Sequence, residues 1–201
     1  MRSLTIYDFD KTVYNGDCSL DFYLFCIRKQ PLLLRYLPTQ LWHAFLFVGK
    51  FESRTDFKSH FFVFLRSLSN VTGLVDRFWD AHYRNIKPWY GKLDHANDVI
   101  VSASPEFLLQ PAAAKLKVLA LIATRMNPKT GMIDGENCRG QEKVVRLRQH
   151  MGDPDIAKVY SDSMSDLPLL ALAKEKYIVR HQKIMTLKNY QNLSPLRRWF
   201  L

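Results

Sequence analysis

Residues 4–13, Leu-Thr-Ile-Tyr-Asp-Phe-Asp-Lys-Thr-Val, constrain this chain more than any other stretch. A short apolar run ends in two aspartates one residue apart. If the run is a strand, side chains alternate, so Asp8 and Asp10 leave on one face and Phe9 on the other. At the carboxyl end of a strand in an open α/β sheet, that face looks into the crevice where ligands bind. Two carboxylates a few ångströms apart repel each other and call for a cation or a shared proton. One can serve as nucleophile or metal ligand, the other as acid/base. Asp-x-Asp in a loop is also a common solvated turn, so the chemical reading depends on partners further along.

Beyond Pro88 the pattern alternates. Residues 98–101 predict a buried strand ending in Ser102-Ala103-Ser104-Pro105-Glu106, with Ser104 as helix N-cap and Pro105 as first helical residue. A helix to about Leu116, a strand over 118–124 and a turn or hairpin over 127–135 follow. A helix over 141–150, a strand over 156–160, a helix over 167–173 and a strand over 177–179 complete the series. Such β/α alternation predicts a parallel, doubly wound sheet.

Residues 17–88 have a different texture, dense in leucine and aromatics at helical spacing. Helices are expected around 19–29, 32–49, 54–68 and 72–87, broken at Pro31, Gly49 and Gly73. This predicts a helical cap (17–88) inserted after the first strand of a discontinuous α/β core (1–16 and 89–201). The stretch 31–48 is the most apolar, yet Arg35, Pro38, Gln40 and His43 interrupt it. It is too short and broken for a transmembrane helix. A packed helix is the expectation, an interfacial helix the alternative.

At 201 residues the chain can hold one sizeable core, or a core plus a smaller inserted domain. With 47% apolar and 24% charged residues it reads as a soluble globular protein. Cys18, Cys26 and Cys138 form no Cys-x-x-Cys pair, which suits buried thiols in a reducing cytoplasm. No signal peptide fits ahead of a strand that begins almost at Met1. The net charge of +10 is uneven: +5 over 18–90, zero over 91–173, +6 over 174–201 and −1 over 1–17. A solvated basic face competes here with anionic substrates, a membrane surface or nucleic acid. No RNA-binding signature or aromatic–basic repeat is present.

Three more positions fall at element ends. The Ser102 hydroxyl and the following N–H groups suit a phosphate oxygen, although taken by itself a capping serine is the plainer reading. Lys143, early in a helix, is unfavourable against the helix dipole unless an anion lies nearby; an ordinary exposed lysine is the bland alternative. Asp162 and Asp166 follow the 156–160 strand. Ser163-x-x-Asp166 also reads as a capping-box-like helix start, which accounts for Asp166 but not Asp162.

The four motifs, Asp8-Phe9-Asp10-Lys11-Thr12, Val101-Ser102-Ala103-Ser104, Lys143 after a glycine, and Asp162-Ser163-x-x-Asp166, occur in that order. The chain thereby resembles the haloacid dehalogenase-like (HAD) hydrolase superfamily, in its phosphoserine-phosphatase-like branch, over nearly its whole length to about Arg180. The resemblance implies a Mg2+-dependent phosphatase acting on a small phosphorylated metabolite. It makes Asp8 the nucleophile and Asp10 the acid/base, and Asp8, Asp10 (through its carbonyl) and Asp162 the Mg2+ ligands. Ser102, Ala103 and Lys143 would bind the phosphoryl group, Asp166 would orient Lys143 or the metal waters, and Thr12 would fix the loop. Asp17 stands where the branch places a substrate-recognising carboxylate, with Arg54 and Arg66 as candidate cap cations. Phosphoserine, a phospholipid head group such as phosphatidylglycerophosphate, and transfer to an alcohol are the alternatives. A non-enzymatic binding protein, and peripheral membrane contact through the basic aromatic cap, also stay open.

Overall fold

The structure is a computed structural model describing residues 3–194. After strand β1 (Leu4–Tyr7) the chain forms helices α1 (Cys18–Lys29), α2 (Leu37–Val48), α3 (Arg54–Phe61), α4 (Val71–His82) and α5 (Pro88–Gly91). The order then becomes β2 (Asp98–Pro105), α6 (Glu106–Leu116), β3 (Ala120–Thr124), α7 (Gln141–Met151), β4 (Ile156–Ser161), α8 (Leu167–Ala171) and β5 (Glu175–Arg180), followed by β6 (Lys183–Thr186) and α9 (Leu187–Gln191).

The strands form one sheet in the order β3-β2-β1-β4-β5-β6, parallel except for β6, which pairs antiparallel with β5. This is the doubly wound α/β class expected. The chain winds outward from β1 through β2 to β3, then crosses back to β4 on the other side of β1. That reversal opens a crevice at the carboxyl ends of β1 and β4. Period-two alternation sorts the core. Leu4, Ile6, Val99 and Val101 face α7 and α8 through Val144, Leu147, Leu169 and Leu170. Tyr7 and Ile100 face the other way, toward Leu108 and Leu109 of α6. Phe22, Phe64, Phe78 and Trp79 of the helical segment join that second cluster around the fully buried Phe9. Each such side chain contributes about 1.5–3 kcal/mol by leaving water.

Several boundaries differ from the expectation, for local reasons. Residues 31–36 form a 3-10 stretch, and α2 starts only at Leu37, with Pro38 in its first turn. The helix expected over 54–68 turns 3-10 at Phe62. Gly73 is no break: Asn70 caps α4 by accepting from the Gly73 N–H at 2.9 Å. Neither is Ser104 a helix cap, because β2 runs on to Pro105 and the Ser104 hydroxyl turns to Asp10. The helix expected to Ala173 ends at Ala171.

The most apolar stretch packs only in part: Leu33 is buried and Phe47 stacks on Phe57 of α3, but most apolar side chains of α2 face solvent. Only Gln40 of α2 is buried, accepting from the Tyr23 hydroxyl and donating to the Phe61 carbonyl, while Leu41, Trp42, Phe45 and Val48 are exposed. Among the described residues no helix is long and apolar enough to cross a membrane. All three cysteines are buried and unpaired. The last part of the basic tail, residues 195–201, lies outside the described residues.

Candidate active site

The crevice is a cavity of ≈ 520 Å³, lined by Asp8, Asp10, Asp17, Ser102, Ala103, Lys143, Asp162 and Asp166, the predicted acids among them. Strand geometry ends at Tyr7, yet the alternation persists: Asp8 and Asp10 enter the cavity while Phe9 is buried against Tyr14 and Trp79. Lys11, at φ +59°, turns the chain out of the strand direction immediately afterwards.

Lys143 is the hub. Its ammonium donates to Asp8 at 2.5 Å and to Asp166 at 2.7 Å, with all three side chains almost wholly buried. Its position depends on Gly140, which caps α7 at φ +57°; a Cβ there would stand 3.3 Å from the Ser165 carbonyl. Only a residue without a side chain combines that φ with so close an approach. Burial opposes the charge on Lys143, but Asp8 and Asp166 outweigh it and hold the pKa above the usual lysine value. Burial also pushes Asp8 up, to about 7, with Asp166 and Asp162 adding to the rise and Lys143 opposing it.

Asp166 is not part of a capping box. Its carboxylate accepts from Lys143 and, at 2.7 Å, from the Ser161 hydroxyl, while Ser163 caps the short turn through the Ser165 N–H. Thr12 is fully buried with its hydroxyl 3.5 Å from Asp8, so it supports that carboxylate.

Asp10 is held from two sides. The Cys18 N–H donates to one oxygen at 2.7 Å and the Ser104 hydroxyl to the other at 2.5 Å; the Ser104 N–H in turn donates to the Ser102 hydroxyl at 3.1 Å. Burial raises the Asp10 pKa to about 6, assisted by the charge of Asp17 and opposed by these hydrogen bonds. Asp17 itself caps α1 through the Leu20 N–H at 3.0 Å.

Asp162 is half-buried and has no ion pair among the described residues; burial raises its pKa, and Lys11 and Arg180 partly offset that. Lys143 pairs with Asp8 and Asp166 but not with Asp162, so Asp8 and Asp162 leave an oxygen-lined, negatively charged corner of the cavity. A hard divalent cation such as Mg2+ fits that donor set.

The cations facing the cavity differ in part from those expected. Arg54 lines it, whereas Arg66 points away and donates to the Thr130 carbonyl. Lys58 and Arg139 also line it and were not anticipated. Lys58 lies on the same face of α3 as Arg54, one turn on, a spacing present in the sequence but masked by the surrounding phenylalanines. Its ammonium donates to the Ala103 carbonyl at 2.5 Å, and burial lowers its pKa against the pull of Asp10 and Asp17. Arg54 is lowered by burial and by the like charge of Arg139. Two guanidiniums facing one cavity favour an anion between them.

Comparison with known proteins agrees with this geometry. The haloacid dehalogenase-like hydrolase family matches residues 5–171. The protein CicA of Caulobacter vibrioides is 40% identical over 95 residues, 44% of this chain and 43% of that protein, so the chain matches less than half the length of its curated relative. A Bordetella pertussis protein of unknown function has the same fold at 21% identity, with TM-score 0.74 over 88% of this chain and 89% of that one. A phosphoserine phosphohydrolase-like protein from Francisella tularensis is similar at 18% identity, with TM-score 0.57 over 87% and 86% of the two chains. From the shared fold and the match across most of its length, the chain belongs to the haloacid dehalogenase-like hydrolase family.

Proposed function

We propose that the chain is a Mg2+-dependent phosphatase that hydrolyses a small phosphomonoester through an aspartyl-phosphate on Asp8. The observation that carries this reading is the buried Asp8–Lys143–Asp166 chain set beside an independently held Asp10. A buried lysine shared by two acids keeps a nucleophilic carboxylate in place and offers positive charge where phosphoryl oxygens gather.

In the first step an Asp8 oxygen bonds to phosphorus as the ester P–O bond breaks. Asp10, its pKa raised to about 6 by burial and Asp17, gives its proton to the departing alkoxide. Asp8, pushed up to about 7 by burial, has to be the ionised partner, a state that a cation held on its carboxylate would favour. In the second step Asp10 takes a proton from water, whose oxygen bonds to phosphorus as the Asp8–phosphorus link breaks. Alcohol and inorganic phosphate are the products and both carboxyl groups return to their starting state. Ser102, the Ala103 N–H and Lys143 hold the transferring oxygens. Asp8, Asp162 and the Asp10 carbonyl are the residues that would hold Mg2+. When bound, Mg2+ neutralises charge on the phosphoryl group.

The helical segment 17–88 serves in this reading as a cap that selects substrate. Arg54, Lys58 and Arg139 favour a phosphomonoester with a further anionic group. Phosphoserine is the second reading, supported by Asp17 and Arg54 lining the same cavity, an opposite-charge pair matching an amino acid's two charges. Phosphate release from p-nitrophenyl phosphate tests the chemistry: it should require Mg2+, stop with EDTA and disappear in Asp8→Asn. Retention of more than a few per cent of the rate by Asp8→Asn would remove Asp8 as nucleophile.

A further inference from the structure

Helix α2 inverts the usual arrangement of a surface helix, whose apolar stripe normally packs on the core. Its buried residue is Gln40, while Leu41, Phe45 and Val48, turned away from it around the helix, are 60, 64 and 79% exposed. Trp42 beside them is 60% exposed and stacks on Phe45, and Leu32 and Phe51, before and after the helix in the chain, are exposed as well. An exposed apolar surface of this extent marks an interaction site.

The helix is held in this orientation from its inner side. Gln40 bonds Tyr23 and Phe61, and Phe47 stacks on Phe57 of α3. His43 lies 3.0 Å from Glu52, which also takes His60 of α3 at 2.7 Å, the two imidazoles stacked with centroids 3.4 Å apart. Those rings are parallel to within 5°, so their Nδ1 atoms address one carboxylate rather than converging in-plane on one ion.

Charge narrows the partner. Between Arg28 and Phe51 the chain carries Arg28, Lys29, Arg35 and Lys50, all exposed, and no acid. The next acid, Glu52, is turned inward to the two histidines. A second copy meeting this face across a two-fold axis would set the same cations against one another. An anionic bilayer complements both features, because tryptophan, phenylalanine and leucine enter the headgroup boundary while Lys and Arg pair with lipid phosphates. A 12-residue helix is about 18 Å long, enough to lie on a bilayer and too short to span one. We propose that the outer face of α2 docks the protein on an anionic lipid surface. This inference is independent of the phosphatase reading and stands or falls without it.

Flotation with phosphatidylcholine vesicles, with and without phosphatidylglycerol, tests it. The protein should float with the anionic vesicles, stay down with the neutral ones, and lose binding as salt rises. Trp42→Ser/Phe45→Ser/Val48→Ser should weaken vesicle binding about tenfold or more, and Lys29→Glu/Lys50→Glu several-fold. Thermal melting confirms that each variant folds. Failure of the unaltered protein to float with anionic vesicles would overturn the proposal, as would undiminished binding by the folded triple variant. A dimer in sedimentation velocity that the triple variant converts to monomer, without vesicle binding, would assign the face to a second copy instead.

Discussion

Replacing Lys143 by methionine removes the cation between Asp8 and Asp166 while keeping side-chain length. Both of its ion pairs, at 2.5 and 2.7 Å, are buried, so solvent screens them little. Breaking one side of a buried pair costs about 3–5 kcal/mol, a large part of the roughly 5–15 kcal/mol that stabilises a domain. With a urea m-value of about 1–3 kcal/mol per molar, the midpoint should fall by about 2 M at pH 7.5. The sign of the pH dependence follows from the acids left behind. Asp8 already has a folded pKa of about 7, raised by burial and by its neighbouring carboxylates, and Lys143 opposes the rise. Without the lysine that pKa moves further above the unfolded value. Between the two values the folded state binds more protons, so stability falls as pH rises through the window. The deficit of Lys143→Met relative to the unaltered protein should therefore be largest at pH 7.5 and shrink toward pH 5. Mg2+ should restore part of it at pH 7.5. Urea denaturation followed by tryptophan fluorescence measures both. A deficit equal at the two pH values and indifferent to Mg2+ would refute the assignment of Lys143 as the counter-charge.

Other perturbations separate the remaining roles. Asp10→Asn should still react with an activated aryl ester but lose most of its rate on alkyl phosphates, which need a protonated leaving oxygen; equal losses on both would exclude the acid role. Because Asp17 raises the Asp10 pKa, Asp17→Asn should shift to lower pH the alkaline limb of the alkyl-ester profile, where Asp10 loses the proton it must donate; asparagine keeps the α1 cap, and an unmoved limb would contradict the coupling. Arg54→Ala and Lys58→Met should raise KM for anionic substrates by about 10-fold each while sparing a minimal ester; uniform losses across substrates would place them in the chemistry. Gly140→Ala should lower kcat by displacing α7, measured on p-nitrophenyl phosphate, whereas an unchanged kcat would show that the close approach to Ser165 is dispensable.

Residue spacing made much of this architecture legible. The strand-end acids, the β/α alternation after Pro88 and the helical texture before it each follow from periodicity. Lys143 and Asp166 were separately unremarkable; their pairing is a long-range contact that local pattern does not reveal, and it was the family resemblance that implied it. Ser104 shows the limit of cap rules: the hydroxyl that would cap a helix bonds Asp10 instead, and the strand continues. Asn70 overrides Gly73 in the same way, since a satisfied cap matters more than one flexible residue inside a helix. Lys58 was hidden because its α3 face also carries Phe57 and Phe61, which suggested packing, whereas all three line the cavity. For α2, apolar composition suggested burial, but the helix is attached by polar contacts through Gln40 and His43 together with the stacking of Phe47 on Phe57. Composition does not state which side of a helix faces inward. Strand β6 and helix α9 lie beyond the motifs and carried no expectation.

The central claim is covalent attachment of phosphate to Asp8, and chemical trapping tests it most directly. The protein is mixed with Mg2+ and a phosphate ester, quenched in acid, reduced with borohydride and digested for mass spectrometry. An acyl phosphate is reduced to an alcohol, so residue 8 should appear as homoserine, in greater yield in Asp10→Asn, where hydrolysis of the adduct is slowed. Turnover of the ester with residue 8 recovered only as aspartate, in both proteins, would contradict the account.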